Sequence, residues 1–372
     1  LAVRGVGGAQ PNGYTDPAGI SADGRYVLFG SNATNLTNGT DPGGLYFHDR
    51  AAGTNVYLGN NDGRMADNGE YVILDTMDAL VPEDTDGWED VYRWERATGS
   101  YTLISFSATI SAYGVLDVSS DGRFVLFSTP ASDLVPSDTN DAWDVFLYDV
   151  VNATTERVNL ADDESQATVA TDIGGDWHQE GAVSDDGRYV VFSSRANNLR
   201  PDDNDDDPDL FFRDRLAGTT TPISLNASLG WTRLGGVSSD GKTVAFIGHY
   251  LTAMVWHHGG VATPVPRATD GTNVGDGEAR MIGMSADGRY VATRGHTVSP
   301  GGGDGYWLEL YDRTAGVSEP FAVGPACAQV GELESPLDIY PTNSKQVLCA
   351  SSSAFVDSAE PTHDWLSVLW SA

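Results

Sequence analysis

The apolar positions of this chain come in short, nearly continuous runs rather than at helical spacing. Four of them follow almost the same polar lead: "SADGRYVLF" from Ser21, "SSDGRFVLF" from Ser119, "SDDGRYVVF" from Ser184 and "SADGRYVAT" from Ser285. Runs this short, rich in β-branched and aromatic residues and bounded by turn formers, predict strands. Asp-Gly between two such runs predicts a tight hairpin turn in which both positions take positive φ. The local turn chemistry accounts for the motif, so Ser-x-Asp-Gly is scaffold rather than a repeated active site. The Gly-x-Ser-x-Gly spacing of a nucleophile elbow is not met by "GISADG".

The turn recurs seven times, at Asp23, Asn68, Asp121, Asp186, Asp240, Asp287 and, much degraded, Asn343. The intervals are 45, 53, 65, 54, 47 and 56 residues, a length that suits four short strands with their turns. Each unit reads as a strand ending at Ser-x-Asp-Gly, a second strand, a long polar connection, a third strand such as "DVFLYD", a short turn and a fourth strand such as "TTPISLN". Four-stranded units repeated around a ring make a β-propeller. The expectation is an all-β, seven-bladed propeller of four-stranded antiparallel blades, a single domain over residues 1–372. The residues after Asn343 and those up to Asp23 together make one further unit of 52 residues. The opening "LAVRGVGGAQ" is therefore expected to supply the outer strand of the last blade.

The stretches "SADGRYVLFGSNATNL", "SSDGRFVLFSTPASDLVPSDTNDAWDVFLYD" and "SDDGRYVVFSSRANNLRPDDNDDDPDLFFRD" resemble the TolB-type, WD40-like propeller repeats of bacterial secreted and periplasmic proteins. The resemblance runs through the whole chain and is weakest in the fifth and seventh units. It implies the propeller fold and leaves function open, because propellers host binding modules and enzymes alike.

Charge narrows the partners. Acidic residues outnumber basic ones, 53 to 21, for a formal net charge of -32. Such a surface repels nucleic acid and anionic membrane. No apolar stretch reaches the length of a membrane span. The first residue is Leu rather than Met, which fits a processed N-terminus and a secreted or periplasmic protein. The only cysteines, Cys327 and Cys349, fall at places that share one face of an up-and-down ring. They form either a disulfide or two separate thiols.

Three of the long connections share an acidic spacing: Asp84, Asp86 and Asp90 in the second unit, Asp138, Asn140 and Asp144 in the third, and Asp203, Asp205 and Asp209 in the fourth. Side-chain oxygens at positions one, three and seven of a curling loop suit a hard cation such as Ca²⁺. Turn stabilisation by Asp and Asn is the competing reading, and none of the loops has the full twelve-residue calcium pattern. No organic cofactor is indicated.

Cations are scarce, yet repeat alignment gathers several on the side where the long connections run. Nine residues after the turn Asp, units four to six carry Arg195, His249 and His296. Five residues before the motif Ser they carry Gln179, Arg233 and Arg280, with Trp177, His178 and Trp231 beside them. Arginine offers bidentate recognition of carboxylate or sulfate, and Trp a stacking face for a sugar ring. These residues predict a mouth that takes an anionic or carbohydrate-like ligand, or a protein partner. The alternative is pairing with the nearby acidic loops. Walker loops, His-Glu-x-x-His and Cys-x-x-Cys are missing from the sequence. Oligogalacturonate lyases resemble this repeat class, and that resemblance implies the enzyme alternative. Arg233 and Arg280 would then hold a uronate carboxylate and His249 or His296 would take its α-proton, and the resemblance also makes His178, His249, His296 and His363 candidates to hold a metal.

Overall fold

A computed structural model describes residues 3–39, 43–59, 62–105, 114–140, 142–168, 180–199, 208–224, 233–248, 252–266, 280–298, 304–320, 347–351 and 366–370. Six four-stranded antiparallel sheets follow one another along the chain, each a simple meander. The first is β1 (Thr15–Ile20), β2 (Tyr26–Ser31), β3 (Gly44–Asp49) and β4 (Thr54–Gly59). The second is β5 (Gly63–Met65), β6 (Tyr71–Thr76), β7 (Asp90–Glu95) and β8 (Ser100–Leu103). The third is β9 (Val115–Val118), β10 (Phe124–Thr129), β11 (Asp144–Asp149) and β12 (Thr154–Arg157). The fourth is β13 (Gly181–Val183), β14 (Tyr189–Ser194), β15 (Asp209–Asp214) and β16 (Thr219–Pro222). The fifth is β17 (Arg233–Val237), β18 (Thr243–Gly248), β19 (Thr252–His257) and β20 (Thr263–Pro264). The sixth is β21 (Arg280–Met284), β22 (Tyr290–Val298), β23 (Asp304–Asp312) and β24 (Val317–Pro320). Two further strands, β25 (Val347–Ser351) and β26 (Leu366–Trp370), pair with each other. Among the described residues no helix is long and apolar enough to cross a membrane.

The continuous apolar runs are explained by burial on both faces. In β10, Phe124 and Leu126 pack with Val183, Val190 and Phe192 of the fourth sheet. The alternate residues Val125 and Phe127 pack with Ala66, Ile73 and Val91 of the second. Apolar layers thus lie between the second and third sheets and between the third and fourth.

Backbone proximity divides the chain into two compact units. One holds Leu1–Asn61, Leu251–Met254 and Pro264–Ala372, and the other Asp62–Tyr250 with Val255–Thr263. The second unit contains the second, third and fourth sheets and most of the fifth.

The Ser-x-Asp-Gly turn is scaffold, as its chemistry predicts, but its geometry differs from the expected two-residue hairpin. Only the glycine takes positive φ, for example Gly24 at 69° and Gly187 at 68°. The chain instead makes a four-residue connection, with Gly187 N–H donating to Ser184 O at 2.9 Å and Ser184 N–H to Tyr189 O at 3.0 Å. The serine hydroxyl organises it: Ser184 Oγ donates to Asp186 Oδ1 at 2.7 Å and accepts from Tyr189 N–H at 3.0 Å. The same pair of bonds recurs at Ser21, Ser119, Ser238 and Ser285.

The N-terminal segment forms no strand among its described residues. Val6–Gly8 is a 3₁₀ turn with Gly7 at φ 68°. Val3 is buried with Ile20, Val27 and Phe29 of the first sheet, and Asn55 Nδ2 donates to Arg4 O at 2.7 Å. Glycines at 5, 7 and 8 leave this stretch few side chains to pack in a strand. Cys349 lies in β25 opposite Val368; Cys327 lies outside the described residues.

Candidate functional site

The acidic connections enter their sheets at the first residue of the third strand. Asp90, Asp144 and Asp209 hold that place in β7, β11 and β15, and all three are buried. Each is fixed from the chain just beyond the fourth strand. Ser105 Oγ accepts from Val91 N–H at 2.8 Å and donates to Asp90 Oδ1 at 3.1 Å. Asn159 accepts from Val145 N–H at 3.1 Å and donates to Asp144 Oδ1 at 2.5 Å. Ser224 accepts from Leu210 N–H at 2.9 Å and donates to Asp209 Oδ1 at 2.6 Å. Sequence reasoning missed these partners, although a Ser or Asn fifteen residues after the aspartate is a visible signal.

In the second sheet the structure brings the predicted trio together. One oxygen from each of Asp84, Asp86 and Asp90 lies within 4.8 Å of the others. Asp84 is 6% exposed and Asp90 1%. Every carboxylate has one oxygen anchored: Asp84 Oδ2 accepts from Tyr92 OH, Asp86 Oδ1 from Trp88 N–H at 2.9 Å, and Asp90 Oδ1 from Ser105. The other oxygens, Asp84 Oδ1, Asp86 Oδ2 and Asp90 Oδ2, are buried without a hydrogen-bond partner. Burial and then the neighbouring carboxylates Asp86 and Asp84 push Asp90 up to about 7, against the Ser105 bond. This donor set is all oxygen, the type that suits a hard cation.

The third sheet arranges the same loop around a guanidinium. Arg157 lies 3.1 Å from Asp138 Oδ1 and 3.2 Å from Asp144 Oδ2. Its other nitrogen donates to Ser137 O at 3.1 Å. Asn140 Nδ2 donates to Asp144 Oδ2 at 3.1 Å. Register makes Arg157, opposite Phe146, equivalent to Leu103, opposite Tyr92, and to Pro222, opposite Phe211. In the fourth loop only Asp209 is described; Asp203 and Asp205 lie outside the described residues.

A second group of acids lies at the ends of the first strands and in the turns that follow them. Ser120 Oγ lies 2.9 Å from Asp67 Oδ2 and 2.5 Å from Asp185 Oδ1, and Ser120 N–H donates to Asp185 Oδ1 at 3.1 Å. Asp117 Oδ2 accepts from Val183 N–H at 2.8 Å. Burial pushes Asp67 up to about 6 and Asp117 to about 7.

Of the residues predicted at the mouth, Trp177, His178, Gln179, Trp231, His249 and His363 lie outside the described residues. Arg195 follows β14 and is half-buried. Arg233 and Arg280 open β17 and β21 at matching positions, opposite Ile247 and Arg294. His296 does not sit in a connection: β22 extends through it and pairs it with Tyr306. Two other described histidines pack into the scaffold. His48 is buried beside Asn55 at 2.7 Å, and His258 packs against Tyr189 and Phe212.

No family model and no curated protein sequence matches the chain. Its fold is shared with solved structures. An oligogalacturonate lyase from Vibrio parahaemolyticus superposes with a TM-score of 0.56 at 13% identity, over 91% of this chain and 87% of the other. The β-propeller domain of the Trilobed protease from Pyrococcus furiosus superposes with a TM-score of 0.52 at 14% identity, over 91% and 89%. An acylaminoacyl peptidase from Pyrococcus horikoshii gives 0.55 at 13% identity, over 96% of this chain and 51% of that one. Together with the repeated four-stranded meanders, these likenesses make the fold a β-propeller, as anticipated from the repeat.

Proposed function

We propose that the chain is a seven-bladed, secreted or periplasmic propeller that acts as a ligand-binding module. Its ligand is anionic or carbohydrate-like and docks where the long connections enter the sheets. The observation that carries this reading is the distribution of arginine. Arginines that follow the repeat serve the scaffold. Arg25, Arg123, Arg188 and Arg289 form bidentate pairs with Asp49, Asp149, Asp214 and Asp312. Arg50, Arg215 and Arg313 donate to the carbonyls of Gly24, Gly187 and Gly288. Arg233 and Arg280 follow no such rule, since the same position holds Asp16, Asn61, Gly114 and Gln179 in the first four units. Cations that a repeat does not require, in a chain of net charge -32, are the natural recognition elements for carboxylate or sulfate.

The test is a thermal-shift panel of oligogalacturonates and sulfated oligosaccharides, with uronate double-bond absorbance followed in the same wells. At least one acidic oligosaccharide is expected to raise the melting temperature, and Arg233→Ala with Arg280→Ala to abolish the rise. New absorbance that disappears in His249→Ala or His296→Ala would make the module a lyase. A wild-type protein indifferent to every saccharide would overturn the reading in favour of a protein partner.

A further inference from the structure

The geometry points to a divalent-cation site of the Ca²⁺ class in the second sheet, formed by Asp84, Asp86 and Asp90, for which the third sheet substitutes Arg157. The inference is independent of the ligand proposed above.

Three observations carry it. The first is the pattern of anchoring. Tyr92, the Trp88 N–H and Ser105 each hold one oxygen of a different carboxylate, and the three free oxygens are buried. A carboxylate fixed through one oxygen while the other faces its neighbours is the outer-shell arrangement of a metal ligand. Turn chemistry alone would leave the second oxygen in water. The second is distance. Oxygens within 4.8 Å of one another fit around a single ion that binds each at about 2.3–2.6 Å. Mg²⁺, which demands shorter bonds and a nearly ideal octahedron, fits that spread less well.

The third is the internal comparison. Asp138, Asn140 and Asp144 hold the places of Asp84, Asp86 and Asp90, six and four residues before the strand and at its start. There the shared space is taken by Arg157, which is itself 7% exposed and bridges both aspartates. The second sheet has Leu103 at that register position and cannot supply the charge. It also has one more carboxylate, Asp86 for Asn140. Three carboxylates with a divalent ion leave the same single negative charge as two carboxylates with a guanidinium. Buried carboxylates without a counter-charge are costly, so each loop needs a cation, and the two loops obtain it differently.

The experiment uses the full chain after EDTA treatment. Calcium titration by calorimetry counts the sites, and thermal melts with and without Ca²⁺ report stabilisation. Asp86→Asn is expected to reduce the number of bound Ca²⁺ by one. Leu103→Arg is expected to remove the same site and to raise the melting temperature in EDTA, because the guanidinium replaces the ion. Counting the difference between variants isolates this loop from any other site. Terbium emission excited through Trp88, which lies in the loop, gives a readout on the unmodified protein. It should be displaced by Ca²⁺ at roughly tenfold lower concentration than by Mg²⁺. An unchanged Ca²⁺ count in both variants, or an absence of Trp-sensitised terbium emission, would overturn the assignment.

Discussion

Each sheet carries two turns at the same end, and the fourth sheet shows how differently they are used. The first turn joins β13 to β14 and the second joins β15 to β16. Both place a glycine at φ 68°, Gly187 and Gly218. Both use an aspartate to cap backbone N–H groups: Asp186 Oδ1 accepts from Arg188 N–H at 3.0 Å, and Asp214 Oδ1 from Leu216 and Ala217 N–H at 3.1 Å. They are also tied together, by the Arg188–Asp214 pair at 2.7 Å and by Arg215 donating to Gly187 O. What separates them is the neighbouring sheet. A Cβ on Gly187 would lie 2.6 Å from three ring atoms of Phe124, the first residue of β10. Gly122 and Gly241 stand over Tyr71 and Tyr189 in the same way. In the second turn of the second sheet, a Cβ on Gly99 would meet nothing within 4 Å. The same local chemistry therefore sets the first turn against an aromatic ring of the neighbouring sheet, whereas in the second turn Gly99 faces open space and Gly218 only the carboxylate end of Glu164.

Alanine at the two glycines is the strongest way to break this comparison. Gly99→Ala at φ 69° is expected to cost only the left-handed backbone penalty, about 1–2 kcal/mol. Gly187→Ala pays that and adds overpacking against Phe124, roughly a further 1–3 kcal/mol. Urea midpoints of the two variants measure the difference. Equal destabilisation would mean that packing of the third sheet against the fourth does not depend on this close approach.

The serine hydroxyl sharpens the same contrast at smaller scale. Tyr189 N–H is buried and donates to Ser184 Oγ. Ser184→Ala leaves that donor without its acceptor and is expected to cost roughly 1–3 kcal/mol. Asp214→Asn, which keeps an oxygen for the second-turn N–H groups, is expected to cost less. A larger loss at Asp214 in denaturant titrations would reverse the ranking of the two turns.

The first turn was legible because the partners of its serine and aspartate lie within five residues, so the motif spells out those bonds. The positive φ expected at the aspartate was not, since the hairpin spans four residues and only glycine enters the left-handed region. The acidic loops were half legible. Their spacing marked Asp84, Asp86 and Asp90 as a group, and the same spacing made Asp138, Asn140 and Asp144 look equivalent. The difference lies in Arg157, thirteen residues beyond Asp144 and brought back by the β11–β12 register. A counter-charge delivered across a strand pair leaves no trace in the loop that receives it. The arginines at 233 and 280 stood out for the opposite reason: they depart from a repeat that explains most of the others.

The smallest effect expected is on pH dependence, where acids beside the two turns move in opposite directions. In the second turns, the arginine hydrogen bond holds Asp49, Asp149 and Asp312 down at about 2. A depressed carboxylate contributes stability above its unfolded value, about 3.9, and that contribution is lost as pH falls through about 2. Beside the first turns, burial raises Asp67, which faces Ser120 and Asp185, to about 6. It raises Asp117, which faces Arg64, Asp67 and the Val183 N–H, to about 7. A raised carboxylate has the reverse sign: the folded state holds its proton more tightly, so stability is greatest below the unfolded value and declines as pH rises through the folded one. In EDTA, urea midpoints followed from pH 2 to 8 should therefore fall on both sides of a mildly acidic maximum. Asp67→Asn and Asp117→Asn should flatten the decline toward neutral pH and leave the acid side alone. Arg123→Gln should do the opposite, bringing acid unfolding to higher pH because Asp149 returns toward its ordinary value. If Arg123→Gln altered only the neutral side, the bidentate pair would not be what links the two turns.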